Sequence, residues 1–204
     1  MTISRALSTR LQKDAQAPSF WYVPKGKTVS EDNWELIAKH LRVLNEFRKT
    51  PWDEAQPKFV ERLQQENLID PYKEVQKGFS AVGRMQLPVW RLLGLAWVNE
   101  QNIPEVTQIG DRFVKANNPK RRKILTMQLH RYQFSNPTTQ KHFSDFATFP
   151  VLGLYRLLNE CSGKLSWDEF RLFGTRVRSF DDAYQLANVV EDWRECTPDE
   201  KKVF

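Results

Sequence analysis

The sequence predicts a mainly α fold with a small β-hairpin, organised as winged-helix-like subdomains. Apolar residues recur at the spacing of amphipathic helices along most of the 204 residues. Between residues 95 and 106, two short runs of strand-forming residues flank a polar turn, and a helix-start signal follows them. Hydrophobic residues make up 40% of the chain, which is enough to form a buried core.

The chain begins with a polar stretch. Residues 1–18 contain three cationic side chains and no apolar segment typical of a secretion signal, so we expect a flexible N-terminal arm. The aromatic segment from Phe20 to Val23, closed by Pro24, predicts a short strand or an extended anchor.

Two amphipathic helices are predicted next. Ser30 precedes acidic residues suited to a helix start. The apolar positions that follow at helical spacing are Trp34, Ile37, Leu41, Leu44 and Phe47. A second helix begins after Pro51, has Phe59, Leu63 and Leu68 on its apolar side, and stops before Pro71.

A helix, a hairpin and another helix are predicted between residues 84 and 114. Residues 84–93 form a short helix with Pro88 near its first turn and Gly94 as its C-cap. Residues 95–98 and 103–106 form strands around a polar turn, and Thr107 starts the next helix. This is the order of a winged helix, in which the helix before the hairpin enters the DNA major groove and the hairpin contacts phosphates. Trp90 and Trp97 fall in the apolar pattern, which predicts burial.

The turn residues Asn117, Asn118 and Pro119 predict a junction between two subdomains, residues 19–117 and 118–195. The second subdomain is predicted to be helical and winged-helix-like. Its helices cover residues 124–134, 151–159 (with Leu152, Tyr155 and Leu158 facing inward), 166–173, and 181 or 182 to 193. Ser166 and Glu169 have the spacing of a capping box. Residues 196–204 are expected to be a polar tail.

The net charge, the cysteine content and the hydropathy of the chain limit the kinds of partner that we expect. A net charge of +6 and an isoelectric point near 9.3 favour acidic partners, nucleic acid first. The two cysteines lack zinc-ligand spacing, which argues against a zinc finger or a disulfide scaffold and favours the reducing cytoplasm. No apolar run approaches the roughly 20 residues needed to span a bilayer, so no membrane partner is expected.

Candidate base contacts lie on the helix before the hairpin. Arginine matches guanine edges, and glutamine or asparagine matches adenine edges. Arg84, Gln86 and Arg91 are therefore the predicted base-contacting residues, with Arg84 foremost. The alternative for Arg84 is a helix-start arginine paired with an acidic neighbour.

Candidate backbone contacts lie in the following helix. Lys120, Arg121, Arg122 and Lys123 form the densest basic run. Cations at a helix start oppose the helix dipole, which favours a phosphate-binding role over the alternative of a solvated face. Near the exit of the same helix, Arg131, Gln133 and Asn136 are candidates for contact with bases or backbone.

No convincing catalytic centre is found. A restriction-type nuclease holds Mg²⁺ with carboxylates near a lysine, usually on adjacent strands. The one Glu-x-Lys, Glu200 with Lys202, follows Asp181 and Asp182 at a permissible distance, but these residues fall in a predicted helix and tail. We therefore predict neither a catalytic residue nor a metal site in this chain.

Three other sequence patterns resemble catalytic motifs, but each lacks a feature that its motif requires. His130, Asn136 and His142 share the letters of a histidine–asparagine–histidine nuclease, without a predicted strand pair to hold a metal. Gly78-x-Ser80 lacks the second glycine of a nucleophile elbow, because residue 82 is valine. Neither cysteine has a histidine close in sequence.

Several segments together resemble the N-terminal recognition region of the AlwI-type family of type IIS restriction and nicking endonucleases. The segments are Trp21-Tyr22-Val23, Leu44-Asn45-Glu46-Phe47 with the downstream Trp52, Arg84-Met85-x-x-Pro88-x-x-x-Leu92-x-Gly94-Leu95, Thr107-x-x-Gly110, Leu125-x-x-Gln128-Leu129-x-Arg131-Tyr132-Gln133-Phe134-Ser135-x-Pro137, Phe149-Pro150-Val151 through Leu157-Leu158, and Gly163-x-Leu165-Ser166-x-x-Glu169. Their order and spacing along the chain carry the resemblance.

The resemblance implies sequence-specific binding of double-stranded DNA by winged-helix-like DNA-binding subdomains. In that family a nuclease domain with an Mg²⁺ site follows the recognition region, so the resemblance places Mg²⁺ and cleavage in a linked nuclease domain or subunit. Whether this chain is itself an enzyme stays open. The alternatives are a small complete Mg²⁺-dependent nuclease and a DNA-binding or interaction protein unrelated to restriction.

Overall fold

A computed structural model describes residues 29–69, 80–133 and 149–201, and for residues 80–85 it describes the backbone alone. The described chain divides into two compact units between Leu129 and His130. The predicted N-terminal arm and the aromatic segment after it lie outside the described residues. Within the described residues the protein is mainly helical with one two-stranded antiparallel sheet, as the sequence predicts.

The first unit contains five helices and the sheet among its described residues. In chain order these are α1 (Trp34–Glu46), α2 (Trp52–Gln65), α3 (Ser80–Leu92), β1 (Ala96–Val98), β2 (Pro104–Val106), α4 (Gln108–Lys115) and α5 (Asn118–Arg131). A 3-10 turn, Glu31–Asn33, precedes α1. Helix α1 packs against α2, α4 and β2, while α3 packs against α2 and β1.

The core of the first unit is built around the apolar side of α1 and an aromatic cluster. Trp34, Ile37, Leu41 and Leu44 are buried, as their spacing predicts. The ring centroid of Phe59 lies 5.7 Å from that of Trp52 and 6.3 Å from that of Trp90. Such ring pairs add to the stabilisation from burial of their area, and they connect α2 to α3.

Local geometry fixes the hairpin against α4. Gly94 ends the turn after α3 with a φ of +63°, a conformation that favours glycine. The hydroxyl of Thr107 donates to the carbonyl of Gly94 at 2.6 Å and accepts the N–H of Gly110 at 3.0 Å. A Cβ on Gly110 would lie 2.0 Å from the Leu95 carbonyl oxygen, so only glycine allows this approach. The Thr-x-x-Gly pattern thus joins the hairpin to the helix that follows it.

Several element boundaries differ from the sequence expectation. Helix α3 begins at Ser80, so Pro88 lies in its interior and not near its first turn. Helix α2 ends at Gln65, ahead of Leu68, because Asn67 takes a φ of +55°. Helix α5 begins at Asn118, and the side chain of Asn117 caps it by accepting the N–H of Lys120 at 3.2 Å. The division between the units falls near the end of α5, whereas the turn residues predicted a junction before it.

The two predicted core tryptophans have different environments. Trp90 is buried with 3% exposure, whereas Trp97 is 37% exposed, so the prediction of burial is wrong for Trp97. Side chains alternate between the faces of a strand, and in β1 Ala96 is the buried residue. The sheet packs on one face, and Trp97 lies on the other.

The second unit contains α6 (Pro150–Glu160), α7 (Trp167–Leu172), a 3-10 turn (Gly174–Arg176), α8 (Phe180–Glu195) and α9 (Pro198–Lys201). Helix α6 packs against α8, and the buried side chains include Leu157, Leu186 and Trp193. The predicted capping box of α7 is present, with Ser166 and Glu169 bonded in both directions. The predicted polar tail includes the short helix α9.

Helix α6 packs through a face other than the predicted one. Tyr155 is 51% exposed, and Gly153 and Leu157 are the buried residues. Apolar side chains surround most of this helix, so periodicity could not identify the face that packs on α8.

No helix in the described parts of the chain is both long and apolar enough to cross a membrane.

Candidate nucleic-acid interface

The basic run at the start of α5 is divided by burial. Arg121 is only 4% exposed, and its guanidinium is bonded within the protein. Its Nε donates to the Phe113 carbonyl at 3.1 Å, and its Nη1 donates to Glu35 Oε2 at 2.7 Å. The guanidinium carbon also lies 5.4 Å from the centre of the Phe113 ring. We therefore correct the assignment of Arg121 from a phosphate contact to a structural residue.

The ion pair of Arg121 connects α5 to α1. The hydrogen bond from Arg121 holds the pKa of Glu35 below its ordinary value, with smaller contributions from Arg42 and Lys39. Lys39 and Arg42 are exposed on α1, on the same side as Glu35. The exposed side of α1 therefore carries cations next to the start of α5.

The other three residues of the run are exposed. Arg122 forms an ion pair with Glu31. Lys120 and Lys123 form no ion pair with any described residue. Their positions in the first turns of α5 expose them to the positive end of the helix dipole, and no acidic residue in the first turn offsets it.

Helix α4 adds two cations that the sequence analysis did not single out. Arg112 and Lys115 are exposed in its last turn and have no ion pair among the described residues. Only Ala116 and Asn117 separate α4 from α5, so these side chains lie near the start of the basic run. Their spacing of three residues on the polar side of a predicted helix was the signal that could have identified them.

We call four cations at the end of α4 and the start of α5, which have no ion pair among the described residues, the basic corner: Arg112, Lys115, Lys120 and Lys123. Residues 108–123 contain six cationic side chains and one carboxylate, that of Asp111. Two of the six are neutralised by glutamates: Arg121 by Glu35 and Arg122 by Glu31. The basic corner keeps a local excess of positive charge at a solvent-exposed surface.

The predicted base-contacting residues of α3 also differ from one another in burial. Gln86 is 6% exposed, and its Oε1 lies 2.7 Å from Nδ1 of the buried His40. The other ring nitrogen of His40 lies 3.3 Å from the Leu68 carbonyl oxygen. A buried amide with a buried partner cannot reach a base edge, so we correct Gln86 to a core residue. The side chain of Arg84 lies outside the described residues.

Arg91 has a different environment from Gln86. It is half-buried, and its guanidinium carbon lies 5.0 Å above the centre of the exposed Trp97 ring. Its Nε is buried without a hydrogen-bond partner among the described residues. The contact with Trp97 restricts the guanidinium, whose forked donors suit a bidentate contact.

The remaining predicted contacts lie at the end of α5 and beyond it. Arg131 is exposed in the last turn of that helix, and Gln133 is exposed just after it. Asn136 lies outside the described residues.

The hairpin turn is unsuited to phosphate binding. Residues 99–106 contain Glu100 and Glu105 and no cation. The turn is also attached to α2, since Asn102 Nδ2 donates to Asp53 Oδ2 at 2.8 Å and the Trp52 N–H donates to the Asn102 carbonyl at 2.6 Å. The carboxylates of Glu100 and Glu105 would repel a DNA backbone.

Two residues of the nuclease alternative, Asp182 and Glu200, have structural partners. Glu200 Oε2 accepts the Thr197 N–H at 2.8 Å, and these bonds hold the pKa of Glu200 below its ordinary value. Ser179 caps the N–H of Asp182, and the Asp182 carboxylate accepts the N–H of Arg178 at 3.0 Å. Lys202 lies outside the described residues.

The cysteine and histidine patterns of the sequence are represented among the described residues by Cys161 and His130. Burial raises the pKa of the Cys161 thiol, which opposes nucleophilic reactivity. The ring of His130 packs edge-on against Tyr155, with centroids 5.6 Å apart. Among the described residues, no group of three or more histidine, cysteine, aspartate or glutamate side chains is placed to hold a metal ion.

No protein-family model and no curated protein sequence matches the chain.

Proposed function

We propose that the first unit binds double-stranded DNA through the basic corner and the adjoining cations of α1, as the recognition module of a type IIS restriction or nicking endonuclease. The observation that carries the proposal is the exposure of Lys120 and Lys123 at the start of α5. Cations there are disfavoured by the helix dipole, and they have no carboxylate partner among the described residues. An anionic ligand would offset both costs.

The order of elements supports a winged-helix-like arrangement. A helix, a two-stranded hairpin and a helix beginning at a threonine cap follow one another in α3, β1, β2 and α4. In this proposal the exposed cations of the α4–α5 region contact phosphates, because the hairpin turn is acidic.

Arg91 is the base-contacting residue that we favour. Of the three predicted residues on α3, Gln86 is buried and the side chain of Arg84 is not described. Arg91 lies over the Trp97 ring, and the forked donors of a guanidinium match the two acceptors of guanine in the major groove. Cleavage would belong to a linked nuclease domain or partner subunit that carries Mg²⁺.

Binding can be tested by selecting bound sequences from random duplex DNA and then measuring fluorescence anisotropy against salt concentration. Lys120→Ala/Lys123→Ala should weaken binding to all sequences and reduce the slope of log affinity against log salt by about 2, one unit for each lost phosphate contact. Arg91→Ala should weaken binding mainly to the selected site, by about 1 to 3 kcal/mol.

Lys49→Ala/Lys58→Ala is the matched control, because both lysines are exposed and unpaired among the described residues but lie outside the proposed surface. An equal change of salt slope in this control, or no DNA binding by the wild-type chain at low salt, would contradict the proposal. Nicking of plasmid DNA with Mg²⁺ by the chain alone would favour the nuclease alternative.

A further inference from the structure

The second unit contains a cleft of its own. Its volume is about 760 Å³, and it is open to solvent between α7, the end of α8 and α9. This volume falls in the range of small-molecule binding sites, roughly 300 to 1,000 Å³.

The charges along the cleft favour an anion. Arg171, Arg176 and Lys201 line it, together with the carboxylates of Asp168 and Glu169. Glu169 is neutralised within the protein, because its Oε1 accepts from Arg194 Nε at 2.9 Å and its Oε2 accepts the Ser166 N–H at 2.6 Å. Arg171 and Lys201 form no ion pair with any described residue, so both remain available to an anion.

The cleft also has an apolar wall. Trp193 and Leu172 line it, and Lys201 Nζ lies 5.5 Å from the centre of the Trp193 ring. The position of Lys201 depends on α9, whose first turn is held by the bonds between Thr197 and Glu200. A cation fixed beside an aromatic ring suits a ligand with both a charged and an apolar part.

We propose that this cleft binds a phosphate ester, with Arg171 and Lys201 contacting the phosphate and Leu172 and Trp193 contacting the adjoining organic group. Arginine and lysine are the side chains best suited to phosphate oxygens, which carry full negative charge. The phosphate ester can belong to a free nucleotide or to a nucleic acid strand. The proposal is independent of DNA binding by the first unit.

The test is isothermal titration calorimetry of the full chain with deoxyadenosine monophosphate, with inorganic phosphate, and with a short single-stranded oligonucleotide. Arg171→Ala and Lys201→Ala should each lower the affinity about tenfold, the effect of losing about 1.4 kcal/mol from one charge-assisted hydrogen bond. Lys164→Ala is the matched control, because Lys164 is exposed in the same unit and does not line the cleft.

Binding of the mononucleotide identifies a free nucleotide as the source, and binding of the oligonucleotide alone identifies a nucleic acid strand. Either result supports the proposal if the two cleft variants weaken it and Lys164→Ala does not. The proposal is overturned if neither probe binds, or if the cleft variants bind as tightly as the wild type while their thermal unfolding is unchanged. Lys120→Ala/Lys123→Ala should bind the mononucleotide normally, which separates this proposal from the one above.

Discussion

Each compact unit contains an arginine–glutamate ion pair with one buried partner, but the buried partner differs. In the first unit Arg121 is 4% exposed and Glu35 is 55% exposed. In the second unit Glu169 is 7% exposed and Arg194 is 31% exposed. The first unit buries a cation from the middle of a basic run, and the second buries a carboxylate at the start of a helix.

The difference shows how the same pairing serves two purposes. Arg121 satisfies carbonyl groups at the end of α4 and so fixes the short connection to α5. Glu169 caps α7 and, through Arg194, connects α7 to α8 and to the Lys164 carbonyl. In both units the buried residue holds helices together, and the surrounding exposed cations are the ones available to a ligand.

The largest effect on stability is expected for Arg121→Ala, a loss of about 3 kcal/mol in the free energy of unfolding. The substitution removes the bonds from Arg121 to the Phe113 and Val114 carbonyls and the ion pair with Glu35. Urea denaturation followed by circular dichroism measures this loss. If stability is unchanged and only the salt dependence of DNA binding falls, Arg121 is a phosphate contact after all.

Glu169→Gln should cost less, about 1 to 2 kcal/mol at pH 7, because the amide keeps part of the capping geometry. Burial alone would raise the pKa of Glu169, but the bonds from Arg194 and Ser166 outweigh it and hold the pKa below the ordinary value of 4.5. The stabilisation from this carboxylate is therefore present above about pH 4.5 and is lost as the pH falls through the folded-state pKa.

The pH dependence provides an independent check on the Glu169 pair. The wild-type chain should lose more stability than Glu169→Gln between pH 6 and pH 3, measured by urea denaturation at each pH. Asp168→Asn is the control, because Asp168 is an exposed neighbour in the same turn. Parallel loss of stability in the wild type and Glu169→Gln would show that the carboxylate charge contributes nothing.

The smallest effect is expected for Arg122→Ala, at most about 0.5 kcal/mol. Its ion pair with Glu31 is exposed on both sides, with side-chain exposures of 66% and 48%. Urea denaturation beside Arg121→Ala makes the comparison direct, since the two arginines are neighbours in the sequence. Equal losses for Arg121→Ala and Arg122→Ala would mean that burial does not distinguish them.

Much of the local structure was predictable because its signals are short-range. The apolar spacing from Trp34 to Leu44 identified α1 and its buried side, and the spacing of Ser166 and Glu169 identified the cap of α7. Thr107 with Gly110 marked the start of α4, since a capping hydroxyl and a residue without a Cβ are both required there. These features depend on residues no more than a few positions apart.

The candidate site was only partly predictable. The four residues of the run from Lys120 to Lys123 cover about 300° of a helix circumference, so they cannot all face solvent. Which of them is buried depends on Glu35 and Phe113, which lie on other helices. The prediction of a base contact for Gln86 is wrong for a similar reason: its partner His40 is distant in the sequence, so the sequence did not reveal their contact.

The sequence by itself determined the helical class, the hairpin and most helix starts, because backbone conformation follows from nearby side chains and caps. Only the tertiary structure decided that Arg121 and Gln86 are buried, and that Trp97 and Tyr155 are exposed. Periodicity defines the position of a residue around its own helix or strand, whereas burial depends on which side another element covers. The exposed lysines of α5 became distinguishable from their buried neighbour only when α1 and α4 were in place.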